Sequence, residues 1–166
     1  VVAAPGGPVR VASIYAPNGN PVGAEKFQFK LQFMEALRAH LSELLKLEER
    51  FVIAGDYNVI PRDVDCYDPH AWAGDALFQP ETRAAYRALQ NLGLADAFMQ
   101  ADAGAHKYTF WDYQAGAWQK DHGIRIDHML LSPQAADRLE SVDIFKKARG
   151  LEKASDHVPI VATFAD

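Results

Sequence analysis

The chain has 166 residues, of which 49% are apolar, so it is long enough to bury the core of one domain. Its formal charge of -5 argues against binding nucleic acid by bulk electrostatics, but it is compatible with an enzyme that concentrates carboxylates around a divalent ion. No segment approaches the roughly 20 apolar residues needed to cross a bilayer, so we expect no membrane association. Cys66 is the only cysteine, which excludes an internal disulfide and favours a reducing, cytoplasmic setting.

The first residues, 1–4 (VVAA), have the pattern of a strand already in progress and lack an initial methionine. No internal repeat, low-complexity tract or linker divides the sequence. We therefore expect residues 1–166 to form a single domain that is incomplete on its N-terminal side.

The first half of the chain predicts two strands and a helix. Alternating residues at 10–15 predict a strand that ends in the loop at 17–21 (PNGNP). Apolar residues recur every three or four positions from 25 to 46, which predicts an amphipathic helix. Residues 51–54 (FVIA) predict a strand buried on both faces, and Asp56 follows it at the end where α/β proteins place their sites.

The second half is predicted to open with a long functional loop at 61–80, followed by a helix from Pro80 to Leu92. Further strands or strand-like segments are predicted at Phe98, 108–111, 124–131, 142–145 and 160–162. The alternation of strands and helices indicates an α/β or α+β fold.

Three short polar patterns are candidates for chemistry. Asp56 and Asn58 point the same way in an extended segment and can share one phosphate or ion, although an Asx turn after a strand is the structural alternative. Asp156 and His157 precede the last predicted strand, where a polar turn is the alternative. Asp127 lies in a strand that otherwise reads as core, so its carboxylate needs a partner such as a histidine.

An aromatic block and a basic cluster accompany these motifs. The block at 108–113 (YTFWDY) is typical of core or rim packing, and a stacking surface for a sugar or base is the sharper alternative. The basic residues between 146 and 153 lie just before Asp156, where they are either solvated or in contact with phosphates.

The order of the motifs resembles the exonuclease III family of apurinic/apyrimidinic endonucleases. The resemblance covers nearly the whole chain, and segments 63–69 and 77–81 are similar to its bacterial branch. The motifs that carry it are 15–19 (YAPNG), 55–58 (GDYN), 109–113 (TFWDY), 125–127 (RID) and 155–159 (SDHVP).

The resemblance implies part of a four-layer α/β sandwich, in which two packed mixed sheets are flanked by helices. The family's first strands, one of which carries a metal-binding glutamate, lie upstream of the segment that matches Tyr15. Their absence implies an unpaired sheet edge and an exposed apolar face. We expect the 166-residue piece either to self-associate through this face or to fold only together with the missing part.

The resemblance also implies catalytic roles. Asp56 activates or positions the attacking water, and Asn58 orients it. His157 contacts the scissile phosphate, and Asp127 sets the tautomer and charge of that imidazole. Tyr15 places a phenol near the phosphate.

A metal site and DNA contacts are implied in the same way. Asp56, Asn58 and Asp156 are the expected metal residues, and their oxygen ligands suit Mg²⁺, with Mn²⁺ as a substitute. An apolar pocket for an extrahelical abasic sugar, a stacking aromatic and contacts with the DNA backbone complete the set. Phe110, Ile124 and Ile126 are expected to line the pocket, and Trp111 is the stacking aromatic. The DNA backbone is expected to contact Asn18 and Arg125, together with Lys120 or His122 on the intervening loop.

These matches predict a DNA-repair nuclease that hydrolyses phosphodiester bonds at abasic sites and 3′ ends of double-stranded DNA. The longer natural protein is the expected enzyme, and the 166-residue piece is expected to have little or no activity. Two alternatives stay open at this point: another phosphodiesterase of the same superfamily, and a non-catalytic DNA-binding fragment.

Overall fold

The computed structural model describes residues 1–101 and 104–165. The strands are β1 (Arg10–Tyr15), β2 (Phe51–Asp56), β3 (Ala95–Asp96), β4 (Asp127–Leu131), β5 (Leu139–Ile144) and β6 (Ile160–Phe164). A four-stranded mixed sheet runs in the order β1-β2-β4-β3, and a separate antiparallel pair is formed by β5 and β6. The helices are α1 (Glu25–Leu45), α2 (Pro69–Trp72), α3 (Pro80–Gln90), α4 (Ala97–Ala101) and α5 (Pro133–Ala136), with 3₁₀ turns at Asp63–Asp65 and Lys146–Gly150.

The four-stranded sheet is covered on both faces. Successive residues of a strand point to opposite faces, so Ile53 packs with Met34 of α1 and Leu89 of α3, while Val52 packs with Phe164 of β6. Helices, sheet and second sheet therefore lie in layers, and the predicted α/β class is confirmed. No helix within the described residues has both the length and the apolar character that spanning a membrane requires.

The register of the central strands brings candidate residues to one end of the sheet. Parallel pairing of β1 with β2 sets Tyr15 opposite Asp56, and antiparallel pairing of β2 with β4 sets Asp56 opposite Asp127. Gly55 permits this close pairing, because a Cβ at its φ of +141° would lie 2.0 Å from the Ile14 carbonyl oxygen. The side chains of Tyr15, Asp56 and Asp127 therefore lie side by side on adjacent strands.

Several predicted strands differ from the structure. Phe98 lies in α4, because the carboxylate of Asp96 accepts the backbone N–H groups of Phe98 and Met99 and so starts a helix. Segment 108–111 is no regular strand, although isolated bridges join Phe110 to Ile124 and to His157. The regular part of segment 124–131 begins only at Asp127.

The exposed edge expected from the sequence is present among the described residues. β1 pairs only with β2, and Val11 on it is 51% exposed. An apolar cavity of about 340 Å³ lies between β1 and the second sheet, with Val9 and Phe164 in its lining. Self-association through this face stays a prediction.

A buried ion cluster fixes the segment that leads into β4. Arg125 is fully buried, and its guanidinium lies 3.1 Å from Asp65 Oδ1 and 3.0 Å from Asp96 Oδ2. The prediction that Arg125 contacts the DNA backbone is therefore wrong, because its charge is enclosed by two carboxylates. Its Nη1 also lies 3.0 Å from His128 Nδ1, which must accept, since His128 Nε2 donates to the Val59 carbonyl oxygen. Burial lowers the pKa of His128 to about 4, which keeps this imidazole neutral.

Replacing Arg125 by methionine is expected to lower the free energy of unfolding by about 3–5 kcal/mol, because two buried carboxylates lose their counter-charge. The matched control is Arg38→Met, whose partner Glu35 is exposed on α1, and it is expected to change the free energy of unfolding far less, because both side chains of this ion pair are solvated. Urea unfolding at pH 7 measures both. Equal costs for the two substitutions would contradict the role given to the cluster.

Candidate active site

Asp56 and Asn58 form a rigid unit at the end of β2. The backbone N–H of Asn58 donates to Asp56 Oδ1 at 2.8 Å, and its side-chain amide donates to Asp56 Oδ2 at 3.1 Å and to Ala16 O at 2.9 Å. Asn58 has a φ of +50°, a left-handed conformation that asparagine tolerates better than most residues. The Asx turn considered as a structural alternative is thus present, and it is the device that aligns the carboxylate.

Among the described residues, no cationic side chain forms an ion pair with the Asp56 carboxylate, although the charges of His157 and Lys30 act on it from farther away. Burial raises the pKa of Asp56 to about 6, and the charge of Asp127 across the strand pair raises it further, while the hydrogen bond from Asn58 opposes the rise. A cation near Asp56 would favour its ionised form. The electrostatics of the site therefore favour a positive charge next to the Asp56 carboxylate.

Asp127 and His157 form the second pair. His157 Nδ1 lies 2.8 Å from Asp127 Oδ2 and 3.1 Å from Oδ1, so Nδ1 donates and Nε2 is left for a ligand. The hydrogen bond with Asp127 raises the pKa of His157, and the charges of Asp127, Asp56 and Asp156 act in the same direction. The Phe110 ring meets the imidazole edge-on, with 5.0 Å between centroids.

The aromatic block explains how His157 reaches β4. The backbone N–H of Trp111 donates to the carbonyl oxygen of Asp156, and the backbone N–H of Val158 donates to the carbonyl oxygen of Thr109. The loop that carries His157 is therefore bound to the aromatic block on both sides. The Thr109 hydroxyl also accepts the backbone N–H groups of Ile126 and Asp127. Sequence patterns did not indicate this role of Thr109, because its partners lie far away along the chain.

The predicted metal residues fit a divalent ion in the kind of donor they offer. Asp56, Asn58 and Asp156 supply only oxygen ligands, which suits a hard cation. In the described ranges, however, no group of three His, Cys, Asp or Glu side chains converges as metal ligands.

The predicted DNA-binding residues divide by exposure. Asn18 and Lys120 are exposed, and Asn18 Nδ2 lies 3.4 Å from Asn58 Oδ1, which connects it to the site. Trp111 is fully buried and its indole N–H donates to Asp121 at 2.9 Å, so the prediction that it stacks on DNA is wrong. Tyr15 is 74% exposed at the end of β1, where a ligand has access to it.

The three residues expected to line a sugar pocket also differ in exposure. Phe110 is half-buried, whereas Ile124 and Ile126 are 1% and 3% exposed within the apolar cluster against which Phe110 packs. Ile124 and Ile126 therefore support Phe110 in this structure. Their contact with a sugar stays a prediction.

Sequence reasoning missed Lys30, a buried residue of α1 whose ammonium lies beneath the site. It stands three residues after Phe27 and four before Met34, both buried on the inner face of the helix. This helical spacing was the signal that could have revealed a lysine pointing inward.

The sequence is similar to a known protein family and to bacterial nucleases. Residues 1–157 match the model of the Endonuclease/Exonuclease/phosphatase family. Exodeoxyribonuclease III of Haemophilus influenzae is 34% identical over 166 residues, covering 95% of this chain and 62% of its own length. Exodeoxyribonuclease of Bacillus subtilis is 30% identical, covering 92% of this chain and 58% of its own length. The chain thus spans about three fifths of the length of these relatives.

Solved structures show the same similarity. The 3′-5′ exonuclease NExo of Neisseria meningitidis superposes with a TM-score of 0.90 at 36% identity, over 94% of this chain and 61% of its own. A Neisseria 3′ phosphatase NExo bound to a product DNA hairpin gives 0.91 at 35% identity, over 95% and 61%. An AP endonuclease from Archaeoglobus fulgidus gives 0.89 at 34% identity, over 94% and 61%.

The raised pKa of Asp56 predicts a stability difference that depends on pH. The pKa of Asp56 in the folded chain, about 6, exceeds its ordinary value of 3.8, so the stabilising contribution of the protonated carboxyl is complete below pH 3.8 and is lost as the pH rises through 6. The wild-type protein loses this contribution between pH 4 and pH 8, whereas Asp56→Asn has no carboxyl to titrate. Without metal, the free energy of unfolding of Asp56→Asn is therefore expected to rise by about 1–2 kcal/mol relative to that of the wild type over this pH range.

Urea unfolding at the two pH values, in EDTA, measures this difference. The control is Asp137→Asn, which removes an exposed carboxylate and is expected to keep the wild-type pH dependence. A gain that is the same for Asp56→Asn and for the control would contradict the burial argument.

Proposed function

We propose, for a chain that belongs to the Endonuclease/Exonuclease/phosphatase family, that the protein containing it hydrolyses phosphodiester bonds at abasic sites and 3′ ends of double-stranded DNA. The observation that carries the proposal is the meeting of two pairs, Asp56 with Asn58 and Asp127 with His157, at one end of the sheet. The similarity to exodeoxyribonuclease III and to an AP endonuclease supports DNA as the substrate class.

In this proposal the first pair handles the attacking water. Asp56 accepts a proton from water as the water oxygen adds to phosphorus, and Asn58 holds the carboxylate in place. The bond from phosphorus to the leaving oxygen then breaks, and its electron pair stays on that oxygen. Burial raises the pKa of Asp56 in the absence of a bound ion, which makes this carboxylate a stronger proton acceptor than an exposed aspartate.

The second pair stabilises the charge that grows on phosphate. The raised pKa of His157 favours the imidazolium, whose Nε2–H donates to a non-bridging oxygen of the transition state. Asp127 is a positioning residue here, because it touches His157 rather than the substrate. Tyr15, at the exposed end of β1, supplies a further donor to phosphate.

A divalent ion, Mg²⁺ or its substitute Mn²⁺, would be held by Asp56 with Asn58 and Asp156. When bound, it lowers the cost of forming hydroxide and offsets the negative charge of the phosphate. DNA contacts are assigned to Asn18, Lys120 and the half-buried Phe110. The Neisseria relative solved with a product DNA hairpin supports such binding.

The test is Mg²⁺-dependent incision of a duplex with one abasic site by the natural full-length protein. Asp56→Ala and His157→Ala are expected to lower kcat by about 10² or more, because each removes a positioned base or charge stabiliser. Asp137→Ala, at an exposed site, is the control and is expected to leave the rate unchanged.

Three outcomes would contradict the proposal in different ways. Wild-type rates in either variant would remove the mechanism. Binding of abasic DNA that survives EDTA and His157→Ala, without cleavage, would indicate a non-catalytic DNA-binding protein. Hydrolysis of a phospholipid or inositol phosphate in preference to DNA would indicate another phosphodiesterase of the family.

A further inference from the structure

The side chain of Lys30 connects helix α1 to the two loops that form the site. Lys30 is 0% exposed, and its ammonium donates to the backbone oxygen of Asn18 at 2.9 Å and to that of Asn58. One loop follows β1 and the other follows β2. A single buried cation therefore joins the ends of two parallel strands.

The charge of Lys30 is costly where it lies. Within 4 Å, no carboxylate pairs with it in the part of the chain that the structure describes. An apolar side chain, like that of Met34 one turn later, would fill the same helix face without this cost. A role in packing alone does not explain a lysine at this position.

The loop after β1 is shaped to fit the lysine stem. Gly19 has a φ of +89°, and a Cβ on it would lie 2.7 Å from Lys30 Cδ. The stem thus passes directly against Gly19 before the ammonium reaches Asn18 O. Any larger residue at position 19 would displace the Lys30 side chain of α1 from the loop that follows β1.

Asn58 connects the ammonium of Lys30 to the carboxylate of Asp56. Lys30 fixes the carbonyl of Asn58, while the N–H and side-chain amide of the same residue fix both oxygens of Asp56. The Asn18 amide approaches Asn58 Oδ1 from the other clamped loop. A shift of the Asn58 peptide would therefore turn the Asp56 carboxylate.

We propose that Lys30 is a positioning residue for the phosphodiester hydrolysis assigned above: its buried ammonium holds the Asn18 and Asn58 loops together and keeps a positive charge beneath Asp56. Lys30 acts through Asn58 and touches no substrate atom. The inference rests on the proposed function, since it concerns the rate of that reaction.

The test compares kcat and KM for the abasic-site duplex in the natural full-length protein. Lys30→Met is expected to lower kcat by about 10- to 100-fold, because a catalytic group displaced by a fraction of an ångström loses much of its effect. KM is expected to change less than about 3-fold, because Lys30 does not contact DNA. The matched control is Lys46→Met at the exposed end of the same helix, with wild-type values expected.

Rates are counted per molecule that binds DNA, measured by titration with a non-cleavable duplex. A merely structural role would lower the number of competent molecules and leave kcat per competent molecule unchanged, which would overturn the proposal. If Lys30→Met does not fold, Gly19→Ala decides, because it keeps the ammonium but displaces its stem. A wild-type kcat in Gly19→Ala would overturn the proposal, and a loss of kcat at constant KM would support it. No cleavage by the wild-type protein would instead overturn the proposed function itself.

Discussion

The site depends on the placement of two carboxylates directly opposite each other across β2 and β4. Asp56 and Asp127 are register partners, and like charges in this arrangement repel. The fold relieves the repulsion in two different ways. Asp127 gains a hydrogen-bonded imidazole, whereas Asp56 is left with a raised pKa and an amide that cannot neutralise it. This difference separates a charge-positioning pair from a pair suited to handle water and a cation.

The arrangement persists because the surrounding strands are held in register. Ser132 and Phe51 exchange two hydrogen bonds at the far end of the β2–β4 pairing, and Gly55 allows β1 to approach closely. The buried guanidinium of Arg125, two residues before β4, joins Asp65 to Asp96 of β3. The strand register and the buried ion cluster thus fix the positions of the two repelling carboxylates, as a preorganised site requires.

Local periodicity predicted the elements that form the layers. The alternation at 10–15, the apolar run at 51–54 and the helical spacing after Glu25 gave β1, β2 and α1 close to their observed bounds. These patterns succeed because they record burial on a face, which sequence spacing expresses directly. Phe98 was misassigned because a single carboxylate, Asp96, decides its local structure by capping a helix.

The candidate site was predictable where residues end a strand or enter one. Asp56, Asn58 and His157 were found in this way, Asp127 was found as a carboxylate within a strand that otherwise reads as core, and the structure brings the four residues together. Arg125 was misread as a DNA contact because its partners Asp65 and Asp96 lie 60 and 29 residues away along the chain. The role of Lys30 escaped for the same reason, because it is defined by loop carbonyls that only the fold brings near.

In the proposed mechanism, Asp127 acts on phosphate only through His157, within one site that also contains Asp56. A double-mutant cycle with Asp127→Ala, His157→Ala and the double variant, read as kcat on an abasic-site duplex, tests it most directly. We expect the double variant to cleave within about 3-fold of His157→Ala alone, because the positioning residue has nothing left to position. Rate losses that multiply in the double variant would show that the two residues act independently and would contradict the account.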